Sequence, residues 1–280
     1  MENFSDDLCK LKHEFVKSYK GSSHTTEILP NSPNESIPIE KRHLFLLHKF
    51  LEVNPIYSNQ ILKNISEIEY TVFEGDLNNY WLDSIKHDVS YAPFYPTWLL
   101  SAWALGCEAR TLGVEQIIDI GSGDGRIAYC GKILGLNSIS IEIDENLTAL
   151  QKKISSKTGV MFNPNCSDAT SYDFKKIPMK KTAFVIGGVP EIGEMLAESV
   201  IDNVLKNENL SNDSVFVLTG SYSKRRFSKD NIHYGWSELI KKFQLNIIST
   251  ISLPTYWTMD QKFETPYIFT KKRIKHSDSL

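Results

Sequence analysis

The chain has no C-x-x-C pair. Cys9, Cys107, Cys130 and Cys166 stand far apart, and no apolar leader follows Met1, so a reducing cytoplasm is the expected setting. Long apolar runs are also missing: the longest, Leu99 to Cys107, is too short to span a bilayer, and no membrane partner is expected. Charge of one sign is not in excess, since 31 basic residues stand against 34 acidic ones and leave a net charge of −3. That balance gives no global pull toward nucleic acid. The seven histidines form no ligand pattern, His43 and His48 being five apart rather than four, and no metal is expected. With 41% hydrophobic residues, 280 residues are enough to bury one substantial core and an appendage.

What is present is concentrated in one run. The β-branched stretch Ile117-Ile118-Asp119-Ile120 breaks into Gly121-Ser122-Gly123-Asp124-Gly125-Arg126, and a second apolar strand, Ser138 to Ile141, ends in Glu142. A strand opening into a glycine turn, followed by a strand tipped with an acid, is how an α/β fold holds an adenosine-bearing cofactor. The glycines let the backbone turn sharply and approach a ligand closely. A carboxylate at position 142 can accept both hydroxyl hydrogens of a ribose. The spacing is G-x-G-x-G, and Arg126 occupies the place of the third glycine in the dinucleotide fingerprint G-x-G-x-x-G.

These residues resemble the first motif of class I S-adenosylmethionine (SAM) dependent methyltransferases, an acid followed by three alternate glycines. Asp119, Gly121, Gly123 and Gly125 match it one by one. The wording Asp119 to Ile127, with Ile141-Glu142-Ile143-Asp144 downstream, is similar to a branch that includes protein-lysine methyltransferases. The resemblance implies SAM as cofactor and a cofactor-binding set of Asp119, Gly121, Ser122, Gly123, Gly125, Glu142, Asp168, Ala169 and Gly187. In it Glu142 holds the ribose and Asp168, in an Asp-Ala pair, contacts the adenine amino group. It also implies a doubly wound, Rossmann-like seven-stranded sheet with an antiparallel last strand.

The rest of the chain can be laid against that order. Asp144 is a good N-cap and Gly159 a good C-cap for a helix carrying Leu147, Leu150 and Ile154. Val160 to Phe162 reads as a third strand and Thr182 to Ile186 as a central fourth, leading into Gly187-Gly188-Val189-Pro190-Glu191 and a helix through Leu205. Val215 to Leu218, Leu245 to Leu253 and Tyr267 to Thr270 supply three more strands, with a helix near Trp236 to Phe243. A methyltransferase domain over residues 91–273 follows. Residues 1–40 read as a partly mobile segment with few apolar anchors, 41–90 as a helical extension with a second helix after Pro55, and 274–280 as a polar tail.

Two aromatic segments are the acceptor-side candidates. Tyr91, Phe94, Tyr95 and Trp98 precede a helix that begins near Thr97, and Tyr256 and Trp257 lie between the last two strands. Such rings either hold a cation over the ring face or pack one element on another. Tyr91, Phe94, Tyr95 and Trp257 are the substrate candidates, and Glu191 and Tyr256 are the candidates for assisting proton loss from an acceptor amine. The Asn/Asp-Pro-Pro-aromatic motif of nucleic-acid amino methyltransferases is absent after the fourth strand, and so is a Pro-Cys nucleophile. A protein or small-molecule acceptor is therefore expected before a nucleic acid, and an amine, including a protein lysine, leads. A small-molecule or RNA methyltransferase, an aminopropyltransferase-like or NAD-dependent enzyme, and a binding protein without turnover remain the alternatives.

Overall fold

The computed structural model describes residues 2–80, 94–221, 233–255 and 264–273. Its centre is a seven-stranded sheet built from β4 (Gln116–Ile120), β5 (Asn137–Glu142), β6 (Asn163–Cys166), β7 (Thr182–Ile186), β8 (Ser214–Thr219), β9 (Leu245–Pro254) and β10 (Glu264–Lys272). The strand order is β6-β5-β4-β7-β8-β10-β9. Neighbours from β6 through β8 run parallel, and β10 lies antiparallel to both β8 and β9. This is the doubly wound sheet with an antiparallel last strand expected from the sequence.

Strand alternation divides the core. Ile118 and Ile120 face one side with Phe184, Ile186, Phe216 and Leu218, covered by Ala197, Val200, Ile201 and Val204 of α6 (Pro190–Leu205). Ile117, Ala183, Val185, Val215 and Val217 face the other, under α3 (Leu99–Thr111) and α4 (Arg126–Ile133). All five positions of β4 and of β7 are buried, as central parallel strands covered on both faces require. Between β5 and β6, α5 (Glu145–Thr158) is capped as expected: Asp144 accepts from the amides of Asn146 and Leu147, and Gly159 ends it in the left-handed conformation.

Three expectations need correction. The third strand is Asn163–Cys166, not Val160 to Phe162: the apolar residues Val160 and Phe162 are buried core anchors leading into a short edge strand that is itself largely solvated. Residues 1–40 do carry apolar anchors. Helix α1 (Glu2–Ser18) buries Phe4, Leu8, Leu11 and Phe15, at spacings that line one helix face, and β1 (Thr25–Pro30) is buried throughout. The stretch 41–90 is not all helical: α2 (Lys41–Val53) buries Leu44, Leu47, Phe50 and Leu51, but a hairpin follows it, β2 (Tyr57–Ile65) and β3 (Ile68–Gly75). With β1 these form an antiparallel three-stranded sheet of order β1-β3-β2. Its inner residues Ile28, Leu29, Val72 and Phe73 belong to the same core cluster as α3 and α4.

Candidate functional site

The direction of winding marks the site. From β4 the chain moves outward through β5 and β6, then returns to lay β7 on the other side of β4. Ligands of open α/β sheets bind outside the carboxyl ends of the strands at such a reversal, which here is the gap between Ile120-Gly121 and Ile186-Gly187. The strands approach closely there: the Gly187 amide donates to the Ile120 carbonyl at 3.0 Å. A Cβ on Gly187 would sit 3.2 and 3.3 Å from the carbonyl oxygens of Ile120 and Gly121.

The glycine loop turns through three left-handed residues, Gly121, Gly123 and Gly125, with φ of 65°, 56° and 78°. Gly125 is the N-cap of α4 and has no side chain to serve the helix's open amides. Asp119 does so from below, its Oδ2 accepting from the Ala128 amide at 3.2 Å. Burial pushes that carboxyl well above its ordinary range. The structure thus places Asp119 beneath the turn as an internal cap. Ser122 accepts from Gln151 Nε2 at 2.9 Å, and the same nitrogen donates to the Gly123 carbonyl at 2.7 Å. Gln151, not singled out in the sequence, is held in turn by the Ser140 hydroxyl at 2.6 Å.

Glu142 closes the loop from the next strand. Its Oε2 accepts from the Gly123 amide at 2.7 Å and its Oε1 from the Asp144 amide at 3.0 Å. Burial raises its pKa, while the Asp144, Gly123 and Ile143 amides oppose the rise. Phe94 lies over the other side of the turn: a Cβ built on Gly123 would fall 2.2 Å from Phe94 Cε2. Tyr95 is half-buried beside it in the chain. Asp168 forms an Asx turn, Oδ1 accepting from the Thr170 amide and hydroxyl at 2.8 and 2.7 Å, with Ala169 buried next to it. Glu191 is exposed at the start of α6, where its Oε1 accepts from the Ser221 hydroxyl at 2.7 Å. The expected site residues Tyr91, Tyr256 and Trp257 lie outside the described residues.

A buried polar network that no sequence signal marks lies beside the turn. Arg126 is 2% exposed and bridges two buried acids, Asp124 through Nε and Nη2 and Glu27 through Nη1. Tyr57 and Asn54 complete the network, the first accepting from Arg126 Nη2 at 3.1 Å and the second donating to Asp124 Oδ2 at 3.0 Å. Nearby in charge, though not bonded, is Lys12 of α1. It is buried, its Nζ has no hydrogen-bond partner among the described residues, and it stands 4.8 Å from the Trp98 ring centroid. Burial lowers its pKa from 10.5 to about 8, against the pull of Glu27.

That displacement sets a stability profile. The folded chain holds the Lys12 proton less tightly than the unfolded chain, so its penalty is full below pH 8 and falls away between about 8 and 10.5. Lys12→Met is therefore expected to stabilise the protein at pH 7 by about 3 kcal/mol, and to remove a rise in wild-type stability over that alkaline window. Guanidinium unfolding at pH 7 and pH 10 checks both. A less stable Lys12→Met protein at pH 7 would show that the ammonium is compensated in place.

No protein-family model matches the chain, and no curated protein matches it at a significant level. Among solved structures it is similar to a ribosomal protein L11 methylase of Lactobacillus delbrueckii subsp. bulgaricus, at 11% identity over 63% of this chain and 79% of that one, with a TM-score of 0.42. It is also similar to a putative RNA methyltransferase of Pyrococcus horikoshii, at 14% identity, 67% and 91% coverage and a TM-score of 0.47. A glycopeptide N-methyltransferase solved with SAM matches at 10% identity, 61% and 94% coverage and a TM-score of 0.45.

Proposed function

We propose that the chain is a SAM-dependent methyltransferase acting on an amine, with a protein lysine as the leading acceptor. The observation that carries this reading is the bond between the Gly123 amide and the Glu142 carboxylate at the point where the sheet reverses. It holds the glycine turn and the ribose-accepting acid in one unit. The Gly123 and Asp144 amides each donate to one Glu142 oxygen and the Ile143 amide also bonds to the carboxylate, and with about four acceptor sites the group keeps capacity for a ribose hydroxyl.

The surroundings fit SAM better than a dinucleotide. Arg126, where the dinucleotide fold wants a glycine, is turned away from solvent and committed to Asp124 and Glu27, so it offers no charge to a pyrophosphate. Beside the turn stands instead the Glu142 carboxyl, an acceptor of the kind that ribose hydroxyls require. Bound SAM would supply a methyl group already activated on a sulfonium, so acid-base help is secondary to positioning and exclusion of water. Phe94 covers the turn and keeps water from it. Glu191, at the start of the helix after β7, is the carboxylate that can orient or deprotonate an acceptor amine, with Ser221 holding it in place. Tyr95 in the described part, and Tyr91, Tyr256 and Trp257 beyond it, are the candidate acceptor contacts.

Glu142→Ala should weaken SAM by about 1.5 to 3 kcal/mol, roughly tenfold to a hundredfold in dissociation constant. An unchanged constant would make Glu142 a loop brace only. The acceptor is tested by incubating purified protein and methyl-labelled SAM with an extract lacking the protein, then separating protein, nucleic acid, lipid and small molecules. Label in nuclease-resistant protein that maps to methylated lysine supports the reading. Label confined to RNA or a metabolite overturns the acceptor assignment.

A further inference from the structure

The N-terminal sheet reaches the glycine loop through Arg126, which is held by Glu27 of β1 and Tyr57 of β2. Glu27, in β1, is 1% exposed and splits its two oxygens between two different parts of the candidate site. Its Oε1 takes Arg126 Nη1, and Arg126 in turn grips Asp124 within the glycine loop. Its Oε2 accepts from the Leu99 amide at 2.8 Å, which is the first residue of α3. Trp98, the N-cap of that helix, supplies no side-chain cap, so Glu27 serves as the missing capping acid from 72 residues away. Arg126 also donates to the Thr97 carbonyl, joining the same two parts a second time.

The consequence concerns Phe94. It lies against Gly123 and belongs to the segment that runs into Thr97 and Leu99. The turn and its cover are thus both keyed to one carboxylate that belongs to neither. We propose that Glu27 is a positioning residue of the cofactor site, fixing the distance between the 94–98 segment and the Gly121–Gly125 turn. The N-terminal sheet is then part of the site's construction and not an appendage to it. This rests on the SAM reading for its binding readout only.

Glu27→Gln keeps the size of the side chain and removes its charge. It should weaken SAM at least tenfold and speed amide exchange at Leu99 and Gly123 in the ligand-free protein, with the chain still folded. Val72→Ala is the control: Val72 is buried in β3 of the same sheet but bonds to none of these groups, so its loss lowers stability while SAM affinity stays within twofold of wild type. Should Glu27→Gln fail to fold, Tyr57→Phe removes the hydroxyl that links Glu27 Oε1 and Arg126, and should weaken SAM about threefold in the same direction. Wild-type affinity in a folded Glu27→Gln or Tyr57→Phe protein, or an equal loss in Val72→Ala, overturns the proposal. If wild-type protein does not bind SAM at all, the functional reading fails alone. The exchange rates at Leu99 and Gly123 then decide the positioning role, unchanged rates in Glu27→Gln ruling it out.

Discussion

Arg126→Met is expected to destabilise the folded chain by about 3 to 5 kcal/mol, the range for removing one partner from a buried ion network. The guanidinium lies between Asp124, which is fully buried, and Glu27, which is 1% exposed, and methionine leaves both carboxylates without their cation. Desolvated acids of like charge then face each other across the start of α4. Lysine is no substitute, because one ammonium cannot reproduce the fork that meets Asp124 through two nitrogens and Glu27 through a third. Denaturant unfolding at neutral pH measures the effect. A loss below about 1 kcal/mol would mean that water or a neighbouring group takes over, and that the network does not brace the loop.

Gly123→Val should abolish SAM binding at any practical concentration, a loss of at least about a hundredfold, or roughly 2.7 kcal/mol. Gly123 has φ of 56°, where a β-branched residue is strained by about 1 to 3 kcal/mol. The new Cβ would also fall 2.2 Å from Phe94 Cε2, so either the ring leaves the turn or the turn opens. Both outcomes move the amide that Glu142 holds. The variant should remain folded, less stable by the strain, because the sheet and its two cores do not depend on this side chain. A folded Gly123→Val protein with wild-type affinity would place the cofactor elsewhere.

The parts of the fold that were legible in the sequence are those whose signals are local. β4, the glycine turn, β5 and the caps Asp144 and Gly159 lie within a few residues of the features that specify them. The hairpin of β2 and β3 was hidden for two reasons. Its two-residue turn is Ser66-Glu67, both at positive φ, without the glycine or asparagine that announces such a turn. The outer strand β2 is solvated on both faces over most of its length, so its residues carry no alternation. Helix α1 carries a stripe, Phe4, Leu8, Leu11 and Phe15, but the serine- and asparagine-rich turns that follow it within residues 1–40 carry no apolar period. The Glu27 to Arg126 pair joins residues 99 apart in sequence, and no spacing rule reaches that far.

The site was legible in the same uneven way. Glu142 and the three glycines, read as candidates from the motif, lie at the sheet's reversal. Asp119 matches the motif too, yet its carboxylate serves the first turn of α4, a role that only the position of the Ala128 amide reveals. Arg126 stood in the sequence as the residue that breaks a dinucleotide pattern. In the fold it is the hub that joins the turn to the N-terminal sheet.

Calorimetric titration of the purified full chain with SAM, and separately with NAD, tests the central claim most directly. The account predicts saturable binding of SAM at one site, lost in Gly123→Val and weakened in Glu142→Ala, with no heat from NAD. Binding of NAD without SAM would contradict it.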